Sequence, residues 1–258
     1  MPVDLNLARG AVIIAVGFGA GFVNSIVGSG TLISFPTLVA VGYAERIANI
    51  TNNVGLVTGS YSAVAAQRRE LRGQRARLLR LVPSSAAGAT IGALLLFTLP
   101  SRYFAHIVPF LILLGVALVL LGPTIQRKVR ERATPSDRTG PLPGWLLVCV
   151  FLAGIYGGYF GAAQGVILLG FMGAAIDDSL VRINATKNVL AGTVNLIASI
   201  VFIVHGGVVW PVVGLLAVGS TVGGVTGSRM GRRIQPNLLR RIVAAVGLVA
   251  ATRLFLSW

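Results

Sequence analysis

The chain has 258 residues, of which 55% are hydrophobic and 11% are charged, whereas soluble domains carry about 25% charged residues. Five uncharged stretches are long enough for helices of about 20 apolar residues, which excludes an ordinary soluble protein; they are residues 10–44, 81–101, 103–126, 139–176 and 188–228. The net charge of +15 is concentrated in short segments between spans, a pattern typical of cytoplasmic loops and not of a nucleic-acid-binding protein.

The hydrophobic pattern predicts ten helical segments along the chain. They lie at about 7–27, 30–44, 47–66, 81–99, 103–122, 144–161, 164–176, 183–205, 209–228 and 240–257. Runs such as 107–121 do not alternate apolar with polar residues, as the strands of a membrane β-barrel would. Segments two and seven are too short to cross about 30 Å of hydrocarbon as single helices. The expected fold class is an all-α polytopic membrane protein in which these two segments are broken or re-entrant.

The two halves of the sequence form a weak internal repeat. A basic linker at 124–143 separates two blocks of five segments, residues 1–123 and 144–258. ANITNNVG (48–55) aligns with INATKNVL (183–190), which places Asn52 on Lys187. GFVNSIVGSG (21–30) aligns with GIYGGYFGAAQG (154–165) after an insertion of two residues, so that both blocks carry a glycine-rich break at a corresponding position.

The basic residues predict the orientation of the two blocks. Sixteen of the 22 Lys and Arg residues lie in segments 68–80, 127–138 and 229–241. The loop after the third segment is basic in block one and HGGV (205–208) in block two, whereas the loop after the fourth segment shows the reverse. The blocks are therefore predicted to be inverted repeats, with the basic loops in the cytoplasm and both termini outside. Five crossings per block, or three crossings plus a hairpin, fit equally well.

The two breaks are the strongest functional signal. Irregular backbone at membrane depth is tolerated only where it is buried in protein or lines a watery cavity. The first N–H groups of a helix lack intrahelical partners and attract anions. Paired, glycine-interrupted short segments are typical of transport sites between inverted repeats, although glycines also serve close helix packing.

Neutral polar side chains accompany the breaks, together with one lysine, Lys187. Asparagines in such segments also cap helices, and Lys187 could either snorkel to the interface or face a cavity. The predicted substrate-binding residues are Asn24, Ser25, Gly28, Ser29, Gly30, Thr31, Asn53, Gln164, Gly165, Thr186, Lys187 and Asn188.

The order of these motifs resembles the TauE/SafE family, also called sulfite-exporter-like permeases. The resemblance rests on AGFVNSIVGSGTLISFPTLVAVGY (20–43), ITNNVGLVTGS (50–60), GGYFGAAQGVILLGF (157–171) and NATKNVLAGTVNLIASIVF (184–202). It implies a bacterial plasma-membrane transporter that exports sulfite or a C2–C3 sulfonate such as sulfoacetate. Asn24 stands where the family often has an acid, so no coupling carboxylate is expected at that position.

The leading hypothesis is a secondary transporter of the bacterial inner membrane that moves a small sulfur-containing anion by alternating access. No cofactor, metal or nucleic-acid partner is expected, and a homo-oligomer is left open. No motif for a nucleophile, a nucleotide or a metal points to an enzyme. The alternatives are a cation or metal permease that uses neutral oxygens, and a membrane scaffold that transports nothing.

Overall fold

The computed structural model describes residues 5–132, 142–231 and 234–256, and this part of the chain contains ten helices and no strand. The first five are α1 (Leu7–Ile26), α2 (Thr31–Val41), α3 (Glu45–Ala66), α4 (Arg75–Thr98) and α5 (Ser101–Arg132). The second five are α6 (Gly144–Tyr159), α7 (Gln164–Ala175), α8 (Leu180–His205), α9 (Trp210–Met230) and α10 (Pro236–Leu256). The expected all-α fold is confirmed, and each predicted segment corresponds to one helix.

α4 and α5 extend beyond the uncharged stretches that predicted them. α4 begins at Arg75 and α5 continues to Arg132, beyond the predicted start of the linker at 124. The sequence prediction used the absence of charge to set both boundaries, but arginine and lysine are good helix formers. Charged residues at these ends therefore extend the helices, and residues 133–141 of the predicted linker lie outside the described residues.

Five of the described helices, α1, α4, α5, α8 and α9, are long and apolar enough to cross a membrane. α2, α6 and α7 are apolar but shorter. Large apolar side chains such as Phe110, Val148 and Val218 are exposed on the outer surface, as expected for contact with lipid. α3 has 22 residues, but its buried surface carries polar side chains, among them Asn49, Asn52 and Asn53.

Close glycine contacts hold α1 against α9 and α4 against α6. A Cβ atom at Gly92 would lie 2.0 Å from the carbonyl oxygen of Ile155, and one at Gly223 would lie 2.0 Å from that of Phe18. Such distances leave no room for a side chain, so the glycines permit backbone-to-backbone packing. The two helix pairs join opposite blocks of the chain.

The contacts also give the relative directions of the helices. Residue numbers rise together where α1 and α3 meet α9 and where α6 meets α4, whereas they run in opposite directions where α3 meets α8. The contacting pairs are Gly17 and Gly55 with Leu216, Gly21 and Gly59 with Ser220, Gly88 with Phe151, Gly92 with Ile155, Asn53 with Ser199, and Gln67 with Asn188. α1, α3 and α9 therefore run in one direction, α8 runs antiparallel to α3, and α4 and α6 run parallel to each other.

Candidate functional site

The two glycine-rich breaks touch each other at the interface between the blocks. The N–H of Gly165, at the start of α7, donates to the carbonyl oxygen of Gly28 at 3.1 Å. Gly28 has a φ of +84°, and a Cβ atom there would lie 2.4 Å from the Gly165 Cα. Because the backbones meet directly, neither position accepts a larger residue without movement of the other break.

Unused N–H groups lie beside this contact. Among the described residues, no acceptor forms a hydrogen bond with the backbone N–H of Ser29, Gly30 or Thr31, which precede and open α2. On the α7 side, the N–H groups of Ala162 and Ala163 likewise have no acceptor within the described part of the chain. The N–H of Gly165 is already occupied by Gly28, so the groups able to meet an anion lie mostly at the start of α2.

Buried polar side chains without partners lie on both breaks. Ser29 is 1% exposed and Gln164 is 3% exposed, and neither Ser29 Oγ nor Gln164 Nε2 has a hydrogen-bond partner within the described residues. Buried polar groups in proteins are almost always paired. Two orphaned groups at adjoining helix starts are therefore a feature of a binding site more than of a packed interface.

Lys187 lies at the C-terminal end of α1. Its side chain is 0% exposed, and Nζ donates to the carbonyl oxygen of Asn24 at 2.7 Å and to that of Ser25 at 3.5 Å. A snorkelling lysine would reach the surface, so that alternative is wrong in this structure. The stem packs against the second break, since a Cβ atom at Gly165 would lie 2.9 Å from Lys187 Cδ.

Two asparagines bind the ends of the broken helices across the blocks. Asn184 Nδ2, on α8, donates to Ser25 O at 3.0 Å, and Asn49 Nδ2, on α3, donates to Tyr159 O at 3.0 Å. Carbonyl groups in the last turn of a helix lack intrahelical partners. The aligned asparagines thus cap α1 and α6, in each case from the opposite block.

One cavity adjoins the C-terminal end of α1, and a second cavity shares part of its wall. The first, of about 320 Å³, includes Ser25 and Asn184 in its wall; its lining also comprises Ile26, Gln67, Glu70, Leu180, Val181, Gly227, Ser228 and Gly231. The second, of about 750 Å³, shares Gln67, Glu70 and Ser228 with the first and is also lined by Arg68, Arg69 and Arg229. Together the two linings extend from the exposed Arg68, Arg69 and Arg229 to Ser25 at the end of α1.

A known family matches nearly the whole length of this chain. A model of the family described as Sulfite exporter TauE/SafE matches residues 13–254. The chain belongs to the TauE/SafE family. A similar protein of Sinorhizobium sp., named "Probable membrane transporter protein ORF9", is 32% identical, with 97% of this chain and 94% of the relative covered.

Two further relatives of this TauE/SafE protein carry similar names. A "Probable membrane transporter protein" of Haemophilus influenzae is 27% identical, with 97% of this chain and 96% of the relative covered. "Probable membrane transporter protein YfcA" of Escherichia coli K12 is 29% identical, with 94% and 88% covered. No solved structure matches the chain. The chain is thus a multi-pass membrane transporter of the TauE/SafE family.

The structure divides the predicted site residues of this TauE/SafE protein into three sets. Six lie at the two breaks: Gly28, Ser29, Gly30, Thr31, Gln164 and Gly165. Four meet at the end of α1: Asn24, Ser25, Lys187 and Asn188. The remaining two are held elsewhere, since Thr186 Oγ1 donates to Gln74 Oε1 at 2.8 Å and Asn53 Oδ1 accepts from Ser199 at 3.0 Å.

Sequence reasoning left several contributing residues out of the candidate set. Gln67 Oε1 accepts from Asn188 Nδ2 at 2.8 Å, and Asn49 and Asn184 bind the helix ends. The alignment of ANITNNVG with INATKNVL already placed Asn49 on Asn184. That match was the signal that could have identified both asparagines, whereas nothing in the local sequence distinguishes Gln67.

A charged cluster joins the first turn of α4 to the loop before α8. Asp178 accepts from Arg77 and from Arg182, each at 3.0 Å. Burial raises the pKa of Asp178, but hydrogen bonds from Arg182, the Ser179 backbone and Arg77 outweigh that effect and leave the pKa below its ordinary value. The cluster therefore ties the blocks together through an ionised carboxylate, close to the start of α8.

Proposed function

We propose that this transporter exports a small sulfur-containing anion, sulfite or a C2–C3 sulfonate such as sulfoacetate, across the bacterial inner membrane. It acts by alternating access and, unlike an enzyme, leaves its substrate chemically unchanged. The observation that carries the proposal is the meeting of two broken helices beside unused N–H groups, at Ser29, Gly30 and Thr31. A helix start of this kind binds an oxyanion through backbone hydrogen bonds and its positive dipole end.

The positive charge near the breaks favours an anionic substrate over a cationic one. Lys187 lies between the end of α1 and the start of α7, and no carboxylate of the described residues forms an ion pair with it. An ammonium without a counter-charge in a low-dielectric site attracts a negative ligand. For the same reason, a cation or metal permease is disfavoured, because Lys187 already holds the Asn24 and Ser25 carbonyl oxygens.

The helix directions support a mechanism based on inverted repeats. If α1, α3 and α4 correspond to α6, α8 and α9, then α3 and its counterpart α8 run antiparallel, as their paired contacts require. α9 runs parallel to α1 and α3, whereas its counterpart α4 runs parallel to α6. Each block thus packs against the other through equivalent faces. Rocking of one block on the other would expose the breaks alternately to the two sides of the membrane.

The cavities also support an orientation of the protein in the membrane. The larger cavity is lined by Arg68, Arg69 and Arg229, which belong to two of the three basic segments. If these segments face the cytoplasm, the cavities open to the cytoplasm and both chain termini lie outside. An inside-negative potential then favours export by about 2.3 kcal/mol per charge per 100 mV.

Flux of sulfite and sulfoacetate from proteoliposomes tests this proposal. We expect the wild-type protein to release these anions faster than protein-free liposomes. Ser29→Ala and Gln164→Leu each remove an orphaned polar group, and each should raise the half-saturating anion concentration about tenfold, as expected for one lost hydrogen bond of about 1.4 kcal/mol. Neither variant should lower the thermal stability, because each removes an unsatisfied buried group.

Thr252→Ala is the matched control. Its hydroxyl is exposed on α10 and bonds only to the backbone of its own helix, so both flux and half-saturation should remain at wild-type values. Absence of flux for every sulfur-containing anion would refute the proposal. Stabilisation by metal ions without any by anions would favour the cation permease, and a protein indifferent to all solutes would favour the scaffold.

A further inference from the structure

The Lys187 ammonium lies at a kind of helix end that binds cations in other transporters. Nζ lies at the C-terminal end of the broken helix α1, where the Asn24 and Ser25 carbonyl groups point away from the helix. Such an end carries partial negative charge. In transporters with broken helices, half-helix C-termini and unwound carbonyl groups are the places where coupling ions such as Na⁺ bind.

A side chain of α8 binds the same helix end. Asn184 Nδ2 donates to Ser25 O at 3.0 Å, while Oδ1 of the same amide is buried and has no hydrogen-bond partner within the described residues. Backbone and amide carbonyl oxygens are ordinary ligands of hard cations. The end of α1 thus combines neutral oxygens with a positive charge, which is supplied by a side chain.

We propose that the carbonyl oxygens of Asn24 and Ser25 form a monovalent-cation site that the protein fills with its own Lys187 ammonium. The transporter then requires no Na⁺ as a coupling ion. The statement about coupling rests on the function proposed above, whereas the statement about the cation site does not.

The tethered cation determines what drives transport. A bound Na⁺ would cross the membrane with the substrate and cancel part of its charge, whereas an ammonium attached to α8 returns with the protein in every cycle. No co-transported Na⁺ then contributes to the net charge moved, so the Na⁺ gradient does not drive transport. Block one carries the neutral residue Asn52 at the position that aligns with Lys187. Of the two aligned positions, only the one in block two therefore supplies a cation.

Thermal unfolding of purified variants tests the cation site without any transport measurement. Lys187→Ala and Lys187→Asn empty the pocket, whereas Lys187→Met fills the same space with an apolar chain and is the matched control. At equal ionic strength, replacing N-methylglucamine with Na⁺ should raise the unfolding midpoint of one or both emptied variants by several degrees in a saturable way. The wild type and Lys187→Met should shift by less than one degree.

Folded Lys187→Ala and Lys187→Asn proteins that show no such shift would overturn the proposal, as would equal stabilisation of the wild type by Na⁺. If neither variant folds, wild-type flux decides, with the potential clamped by K⁺ and valinomycin. We expect sulfite flux to follow the clamped potential and to ignore a Na⁺ gradient; uphill flux driven by a Na⁺ gradient at zero potential would overturn the proposal. Complete absence of anion flux would instead contradict the proposed function and leave the thermal result standing.

Discussion

The segments around Asn49 on α3 and Asn184 on α8 show what the two blocks share and where they differ. Each asparagine binds the last turn of a broken helix of the other block. One turn further along, block one has Asn52 and block two has Lys187. Asn52 Oδ1 is buried without a partner in the described structure, whereas the Lys187 ammonium holds two carbonyl oxygens. The shared positions build the scaffold, and the position that differs places a charge at one helix end only.

The aligned threonines of the two segments, Thr51 and Thr186, make equivalent contacts. Thr51 Oγ1 accepts from the Val209 N–H at 3.2 Å, in the loop after α8, while Thr186 Oγ1 donates to Gln74, in the loop after α3. Both threonines therefore anchor the loop of the opposite block. Because these contacts recur at aligned positions, they belong to the shared scaffold, and substitutions there should alter stability more than substrate preference.

The contact between the breaks is the most direct place to disrupt both blocks at once. In Gly165→Ala, the new Cβ atom would lie 2.5 Å from Gly28 Cα and 2.9 Å from Lys187 Cδ. Because the first of these is backbone, the variant should lose about 3 kcal/mol or more of stability, or fail to fold. Thermal unfolding in detergent measures the loss.

Gly170→Ala, on the same helix, provides the control. Apart from its own helix backbone, no atom of the described residues lies within 4 Å of a Cβ placed at Gly170, and alanine is favoured over glycine inside a helix by about 0.5–1 kcal/mol. This variant should therefore be as stable as the wild type or slightly more so. Equal behaviour of the two variants would show that the breaks do not touch as described.

Substitution of the two capping asparagines, Asn49 and Asn184, should lower stability by different amounts. In Asn49→Ala, Tyr159 O loses its side-chain donor, whereas in Asn184→Ala, Ser25 O still accepts from Lys187 and Asn188. An unsatisfied buried carbonyl costs about 1–3 kcal/mol. Asn49→Ala should therefore destabilise the protein by about 1–2 kcal/mol more than Asn184→Ala in matched unfolding measurements. The reverse order would mean that Lys187 and Asn188 do not support the end of α1.

The sequence predicted much of this scaffold because its signals are local. The hydrophobic pattern located each described helix, and two glycine-rich breaks marked the irregular backbone. The hydrogen-bond partners of Lys187 could not be predicted in the same way. Every residue has a backbone carbonyl group, so the sequence does not indicate which of them the ammonium binds. Charge predicted an anion-facing or interfacial lysine, whereas packing places its ammonium against Asn24 and Ser25.

The charged link between the blocks should depend on pH. The lowered pKa of Asp178 means that its ion pairs with Arg77 and Arg182 stabilise the fold above the unfolded pKa, near 4. That contribution shrinks as the pH falls below about 4 and is lost below the lowered pKa. Asp178→Asn should cost about 1 kcal/mol at pH 7. The difference in unfolding midpoint between wild type and variant should narrow as the pH falls to 3, and a constant difference would contradict the assignment.

The smallest expected change in stability is at Asn52, the position that aligns with Lys187. Its Oδ1 has no partner among the described residues, whereas Oδ1 of the neighbouring Asn53 accepts from Ser199. Asn52→Leu should therefore alter the free energy of unfolding by less than about 0.5 kcal/mol or raise it, while Asn53→Leu should lower it by about 1 kcal/mol. Flux then decides what Asn52 does. If stability is retained but anion flux falls, block one contributes a substrate-binding oxygen or amide where block two contributes a charge; unchanged flux would confine the functional asymmetry to Lys187.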